Sequence, residues 1–359
     1  MLKVEPRREI STALQWATPV LAVALTIVTG FLLFTIMGVN PFTALYAMFI
    51  SPLRDLYGIS ELCLKATPLI LCATGLAIGF RAGVWNIGAE GQLTMGAIFG
   101  GGIGLFYGEA LGPLAIPVMC LAGVLGGMLW AAIPAFLKTR WDVNEILTSL
   151  MLTYVATLVL STLVYGPWKD PDGFNFPQSK FFADNAILPI ILSETRLHVG
   201  FLVTLLVVAG AWVLVTRSLV GFQVRVIGSA PEAAAFAGFS RKRLIWLTML
   251  LSGGLAGLAG LFEVAGPIGQ LVPRISPGYG FTAIIVAFLA RLHPVGIVAS
   301  GFLIALSFIG GENAQVEAQL PQATTGVFQG LLLFWVLACD FLVRYRVRFG
   351  STSAARASA

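Results

Sequence analysis

Apolar residues along this chain come in long runs, separated by short stretches that hold most of its charged residues and many of its prolines. A helix needs about 20 mostly apolar residues to cross the hydrocarbon of a bilayer. Ten such runs stand out: 17–39, 60–80, 90–107, 112–137, 144–165, 198–216, 243–263, 278–292, 294–311 and 325–343. The eighth and ninth are short and joined tightly through Arg291-Leu292-His293-Pro294. The pattern predicts an all-α polytopic membrane protein of about ten transmembrane helices. It also predicts one transmembrane domain over residues 1–343 and a cytoplasmic tail over 344–359, small, polar and without structure downstream of Arg348.

Composition narrows the classes further. Apolar residues make up 57% of the chain and charged residues 11%, against about 45–50% and about 25% in soluble domains. The mean hydropathy is +0.89. Glycine is abundant, 40 of 359 residues, as tightly packed membrane helices require, because small residues let backbones approach. A disordered chain, a disulfide-stapled secreted domain and a soluble enzyme are excluded. Cys63, Cys72, Cys120 and Cys339 all sit in apolar runs without metal-like spacing and read as buried free thiols. The first run is too long for a signal-peptide core and lacks a small-residue cleavage pattern, so it reads as an uncleaved first span.

The net charge of +5 belongs to the ends of the spans rather than to a nucleic-acid-binding face. With ten spans and the N-terminus inside, the inner segments collect Lys3, Arg7, Arg8, Arg81, Lys138, Arg140, Arg217, Arg225, Arg241, Lys242, Arg243, Arg291, Arg344, Arg346, Arg348 and Arg356. The outer segments keep Arg54, Lys65, Lys169, Lys180, Arg196 and Arg274. By the positive-inside bias both termini are cytoplasmic.

The outer connection 166–197, with four prolines and four acids, is long enough to meet something outside the membrane. The inner connection 217–243 is polar and holds a short helix of its own. Spans two to five begin outside and spans seven to ten begin inside, each quartet with an early Gly-rich break: Gly83–Gly88 in one, Gly266–Gly269 in the other. The expectation is two inverted-topology halves, an arrangement whose interrupted segments mark a central translocation site.

Two stretches carry chemistry. The first is Phe80-Arg81-Ala82-Gly83-Val84-Trp85-Asn86-Ile87-Gly88-Ala89-Glu90-Gly91-Gln92. Polar groups at membrane depth are tolerated where they face protein or a water-filled cavity. Trp85, Asn86, Gly88, Glu90 and Gln92 are therefore candidates for the solute pathway or its inner gate, with Arg81 and Glu90 a candidate gate ion pair. A cytoplasmic connector with Glu90 capping the third span is the open alternative. Trp85 is a candidate to stack on a solute ring, or an interfacial anchor.

The second is Gly228-Ser229-Ala230-Pro231-Glu232-Ala233-Ala234-Ala235-Phe236-Ala237-Gly238. Ser229 and Glu232 have the spacing of a capping box. Pro231 suits a first helical turn, and Gly238 suits the left-handed residue that ends a helix. The product is a two-turn helix in a basic loop. It is either a surface helix along the headgroups or a helix docking into a cytoplasmic partner, with Arg225, Ser229, Glu232, Ala233, Ala234 and Gly238 as the coupling residues. Asp142-Val143-Asn144-Glu145 is a second capping box opening span five. Lys65 and Glu263 are expected to snorkel near outer ends, Asp340 to pair with Arg344, and the Gly253–Gly260 run to pack helices.

Much is missing that an enzyme would need. The chain has no GxxxxGK[ST] loop, so it hydrolyses no ATP itself. His198 and His293 lie far apart and no metal spacing occurs. No cofactor is expected. A rival reading is a stand-alone, ion-coupled secondary transporter of a small polar solute, for which Glu90 is the one candidate coupling acid.

The phrase FRAGVWNIGAEGQ, followed downstream by GxxVRxIGxxPEAAxxAG, resembles the bacterial ABC-importer permeases of the simple-sugar and nucleoside branch, related to the ribose-type and branched-chain amino-acid permeases. The likeness runs from Leu62 to Leu342. The second motif resembles the loop by which such permeases contact their ATPase, without the Ile-x-Leu-Pro ending of the maltose kind. The resemblance implies import of nucleosides or simple sugars across a bacterial inner membrane. It also implies an ABC ATPase that binds the ATP, a second permease subunit, and a periplasmic or lipid-anchored solute-binding protein.

Overall fold

The computed structural model describes the main chain of residues 2–6 and 12–349 and the side chains of 17–343. Arg7, Arg8, the tail from residue 350 with Arg356, and the side chain of Arg344 expected to pair with Asp340 lie outside the described residues.

Thirteen helices follow one another among the described residues: α1 (Thr12–Ile36), α2 (Pro41–Phe49), α3 (Leu56–Arg81), α4 (Ala89–Leu111), α5 (Ala115–Trp141), α6 (Glu145–Tyr165), α7 (Gly200–Arg217), α8 (Leu219–Ser229), α9 (Pro231–Phe236), α10 (Arg241–Glu263), α11 (Tyr279–Leu289), α12 (Pro294–Glu317) and α13 (Ala323–Arg344). The chain is nearly all-helical. An antiparallel ribbon pairs β1 (Leu2–Pro6) with β2 (Tyr345–Phe349), Leu2 opposite Phe349. Among the described residues, eight helical stretches are long and apolar enough to cross a membrane. One of them, Ala89–Trp141, is 53 residues long and comprises α4 and α5.

The run expected at 278–292 is not a full helical crossing. Its helix, α11, has 11 residues, about 16 Å of rise against a hydrocarbon core of about 30 Å. The chain reaches α11 through a π-helical turn at Val264–Ile268 and an irregular stretch to Gly278, whose φ is +108°. Apolarity alone does not separate a helix from a buried irregular segment, and Pro267, Pro273 and Pro277 interrupt this one.

The chain forms two compact units. In the first, the residues up to Ser51 and those from Gly310 on, Phe34, Ala44, Ala47, Met48, Ala314, Leu320 and Phe328 form the core, and the Trp335 indole donates to Thr29 Oγ1 at 3.2 Å. The second, Pro52–Ile309, is built around α3. Its residues from Thr67 to Phe80 are all buried, and a helix apolar on every side is one enclosed by protein. Beside it α4, α5 and α10 pack backbone to backbone. A Cβ on Gly96 would lie 2.2 Å from Gly257 Cα, and one on Gly257 would lie 2.2 Å from the Gly123 carbonyl. The Gly253–Gly260 run thus serves helix packing.

The connection from Gly166 to Val199 is no free loop. Main-chain bonds tie it along the irregular stretch: Ser179 N to Leu271 O at 2.9 Å, Phe182 N to Gly269 O at 2.8 Å, and Leu188 N to Ala265 O at 2.8 Å. Non-helical backbone at membrane depth needs such partners, and Leu271 is fully buried.

Candidate functional site

The first motif is a fold-back, built by a helix end. Gly83 has φ +70°, and the bonds Gly83 N to Phe80 O (3.1 Å) and Val84 N to Gly79 O (3.0 Å) close α3 in a Schellman motif. The chain then turns back into the helix packing. Asn86 Nδ2 donates to Ser252 Oγ on α10 at 3.0 Å. Ser252 packs on Gly75, six residues or about 9 Å back along α3 from Arg81.

Asn86 and Gln92 form a reciprocal amide pair. Asn86 Nδ2 donates to Gln92 Oε1 at 2.8 Å, and Gln92 Nε2 donates to Asn86 Oδ1 at 3.1 Å. Asn86 Oδ1 also accepts from Gly88 N at 3.0 Å. Both side chains are buried, and these bonds satisfy them within the protein. Gly88 sits where a Cβ would lie 2.7 Å from the Ser149 carbonyl of α6. Trp85 alone of the five is exposed, at 38%. Its ring packs at a tilt on Phe80 (4.9 Å between centroids) and stacks on Phe288 (6.0 Å), joining the C-terminal ends of α3 and α11.

Glu90 does not pair with Arg81 among the described residues. Its Oε2 accepts from Gly280 N at 2.7 Å, while Ser276 Oγ accepts from Gly278 N at 3.0 Å and Tyr279 N at 2.8 Å just ahead of it. The first turns of α4 and α11 therefore meet on one acid. A Cβ on Gly280 would lie 2.2 Å from Glu90 N. Helix N-termini carry unpaired N–H groups and partial positive charge, so the carboxylate holds the two ends together.

The second motif is two helices rather than one. Ser218 caps α8 by accepting from Gly221 N at 3.1 Å. Ser229 is the last residue of α8, and its Oγ donates to the Arg225 carbonyl at 2.8 Å. The expected capping box with Glu232 does not form. Pro231 holds the first position of α9, so the cap falls on Ala230, which has no side-chain acceptor. Gly238, with φ +76°, does end α9, through Gly238 N to Ala235 O (3.0 Å) and Phe239 N to Ala234 O (3.0 Å). A similar shift occurs ahead of α6. Asp142 is the left-handed cap of α5, bridged to Lys138 at 2.8 Å, and Asn144 caps α6. That bridge holds the Asp142 carboxyl below its ordinary range.

One face of α9 points inward. Ala234 is 1% exposed and shares a cluster with Ala82 and Val84 of the fold-back, with Ala135, and with Val224, Ile227, Leu244, Ile245 and Met249. Gly228 brings α8 against the end of α3, where a Cβ would lie 1.9 Å from the Arg81 carbonyl. Arg225, Glu232, Ala233 and Gly238 face outward, and so does Phe236, 95% exposed.

A family profile described as branched-chain amino acid transport system, permease component, matches residues 58–337. The chain belongs to that family. It is 38% identical to a glucose ABC transporter permease protein of Haloferax volcanii, over 96% of this chain and 93% of the relative. It is 29% identical to a guanosine ABC transporter permease protein of Bacillus subtilis (91% and 94% covered) and 25% identical to a nucleoside ABC transporter permease protein of Lactococcus lactis (90% and 91%). It is thus a membrane-spanning permease of the ATP-binding-cassette class. Such permeases are not enzymes and work with an ATPase and a solute-binding protein.

In this permease, the residues missed by sequence reasoning are the far ends of its contacts. Ser252 and Gly280 lie 166 and 190 residues from their partners in the first motif. Phe236 is an apolar side chain on a loop read as polar. Lys65 Nζ lies 6.0 Å above the Tyr279 ring. No group of three metal-ligating side chains occurs among the described residues.

Proposed function

We propose that the permease is one subunit of a pair in an ATP-driven importer of nucleosides or simple sugars, in a bacterial cytoplasmic membrane. The solute class rests on the relatives named above and on the polar but uncharged character such solutes share. The observation that carries the mechanism is the common cluster of Ala234 with Ala82 and Val84. A push on α9 arrives directly at the fold-back and, through Gly228, at the end of α3. ATP bound by the partner closes the ATPases, α9 moves, and the helices around the fold-back tilt between outward and inward access.

The topology in this reading has ten crossings: α1, α3, α4, α5, α6, α7, α10, the broken segment 264–292, α12 and α13. Their number is even and both ends lie inside, to which the β1–β2 pairing lends support. The outer connection takes the loaded binding protein on its tip, where Phe174, Phe176 and Phe181 are exposed. Phe174 and Asn175 there have positive φ, +49° and +68°, a costly geometry for non-glycine residues.

The test is reconstitution of the permease pair with its ATPase and binding protein in liposomes. Uptake of guanosine or glucose that requires ATP and survives dissipation of ion gradients supports the reading. Uptake by the permease alone under a proton gradient overturns it.

A further inference from the structure

The outer connection and the inner helices α8 and α9 grip opposite ends of a single helix. At the outer end of α3, Glu61 receives a two-point bond from Arg196: Nε to Oε1 at 3.0 Å and Nη2 to Oε2 at 2.6 Å. The Glu61 side chain is 9% exposed and that of Arg196 52%. Arg196 lies at the root of the outer connection, two residues before His198, whose bridge to Ile190 closes that root. A fork of two charge-assisted bonds fixes direction as well as distance, so a displacement of the root is imposed on α3. At the inner end, Gly228 touches the Arg81 carbonyl and Ala234 packs with Ala82 and Val84. Twenty residues separate Glu61 from Arg81, about 30 Å of helix, the thickness of the hydrocarbon core. Almost everything between them is buried, and a close-packed interior transmits displacement rather than absorbing it.

We infer that Glu61 and Arg196 form a clasp through which the loaded binding protein, seated on the outer connection, acts on α3 and so on the ATPase side. The inference rests on the topology and partners proposed above. Glu61 and Arg196 are positioning residues: they touch neither solute nor nucleotide.

The experiment uses the full complex in liposomes and measures ATP hydrolysis with and without loaded binding protein. For Glu61→Gln and Arg196→Gln, basal hydrolysis stays within about twofold of the unmodified complex, while stimulation by the binding protein falls at least about fivefold, the range of a coupling free energy between sites. The double variant loses no more than either single one, because the two groups act as a unit. Arg196→Lys keeps the charge but not the fork and loses an intermediate share. Should Glu61→Gln fail to assemble, the half-exposed Arg196 variants carry the test. Full stimulation in the Arg196 variants, or additive losses in the double, overturns the clasp. An unmodified complex that the binding protein does not stimulate refutes the proposed function instead.

Discussion

Glu90 and Gly280 are 190 residues apart in the chain, yet the carboxylate of one accepts the main-chain N–H of the other at 2.7 Å. Two helix N-termini thus converge on an acid supplied by the protein itself. In carriers with broken helices, such ends are aimed at an anionic solute group. Here the position is filled from within, as suits a neutral solute and a pump driven by nucleotide rather than by ions.

Removing that acid separates two effects. Glu90→Gln keeps an acceptor for Gly280 and loses the charge, whereas Glu90→Ala leaves a buried N–H unpaired, costing about 1–3 kcal/mol. Thermal unfolding in detergent is expected to rank the unmodified chain above the Gln variant and the Gln variant above Ala. ATP-driven uptake persists in Glu90→Gln. Abolished uptake with unchanged stability would point to a proton-carrying role.

Gly238 supplies the left-handed residue that closes α9. Gly238→Val places a β-branched side chain there, against a cost of roughly 1–2 kcal/mol, and misplaces the helix end. The variant is expected to insert normally and to lose both uptake and coupled ATP hydrolysis. Unchanged uptake with unchanged hydrolysis rejects the lever.

Asn86→Ala removes the centre of a buried network, leaving Gln92, Ser252 and Gly88 each short of a partner. Destabilisation of about 2–4 kcal/mol is expected from several unpaired groups at once, read as a lowered unfolding midpoint. A Trp85→Ala exchange, at a half-exposed stack, is expected to leave that midpoint nearly unchanged.

The stability of the fold also carries a pH dependence. Burial holds the His198 imidazole down at about 4, and its Nδ1 accepts from Gly200 N at 3.1 Å. The unfolded chain binds that proton near pH 6.5. Stability from this group is therefore complete above about pH 6.5 and is lost as pH falls toward 4, by up to roughly 3 kcal/mol. His198→Asn is expected to flatten the drop in unfolding midpoint between pH 7.5 and 5. An equal drop in both proteins assigns the acid sensitivity elsewhere.

Much of this architecture is legible in the chain because its causes are local. Long apolar runs mark most of the crossings, and Gly83 and Gly238 mark their turns because a left-handed residue after a helix favours glycine. The misreadings have local causes too. At Ser229 and Asp142 the helix start lies one or two residues further on, since a serine ending one helix satisfies itself on the turn behind it. At 278–292 hydropathy marks an apolar segment, but the helix within it runs only from Tyr279 to Leu289. The partners of Asn86 and Glu90 were beyond any local signal, because which buried polar groups meet is decided by packing across the whole unit.

The central claim is that α9 faces the cytoplasm and is held by the ATPase. Phe236→Cys in a chain whose four native cysteines are replaced, labelled from either side of sealed membrane vesicles, tests it most directly. The account predicts labelling from the cytoplasmic side only, protection by the bound ATPase, and a cross-link to it that stops uptake. Labelling from the outer side, or a cross-link-free residue indifferent to the ATPase, would contradict it.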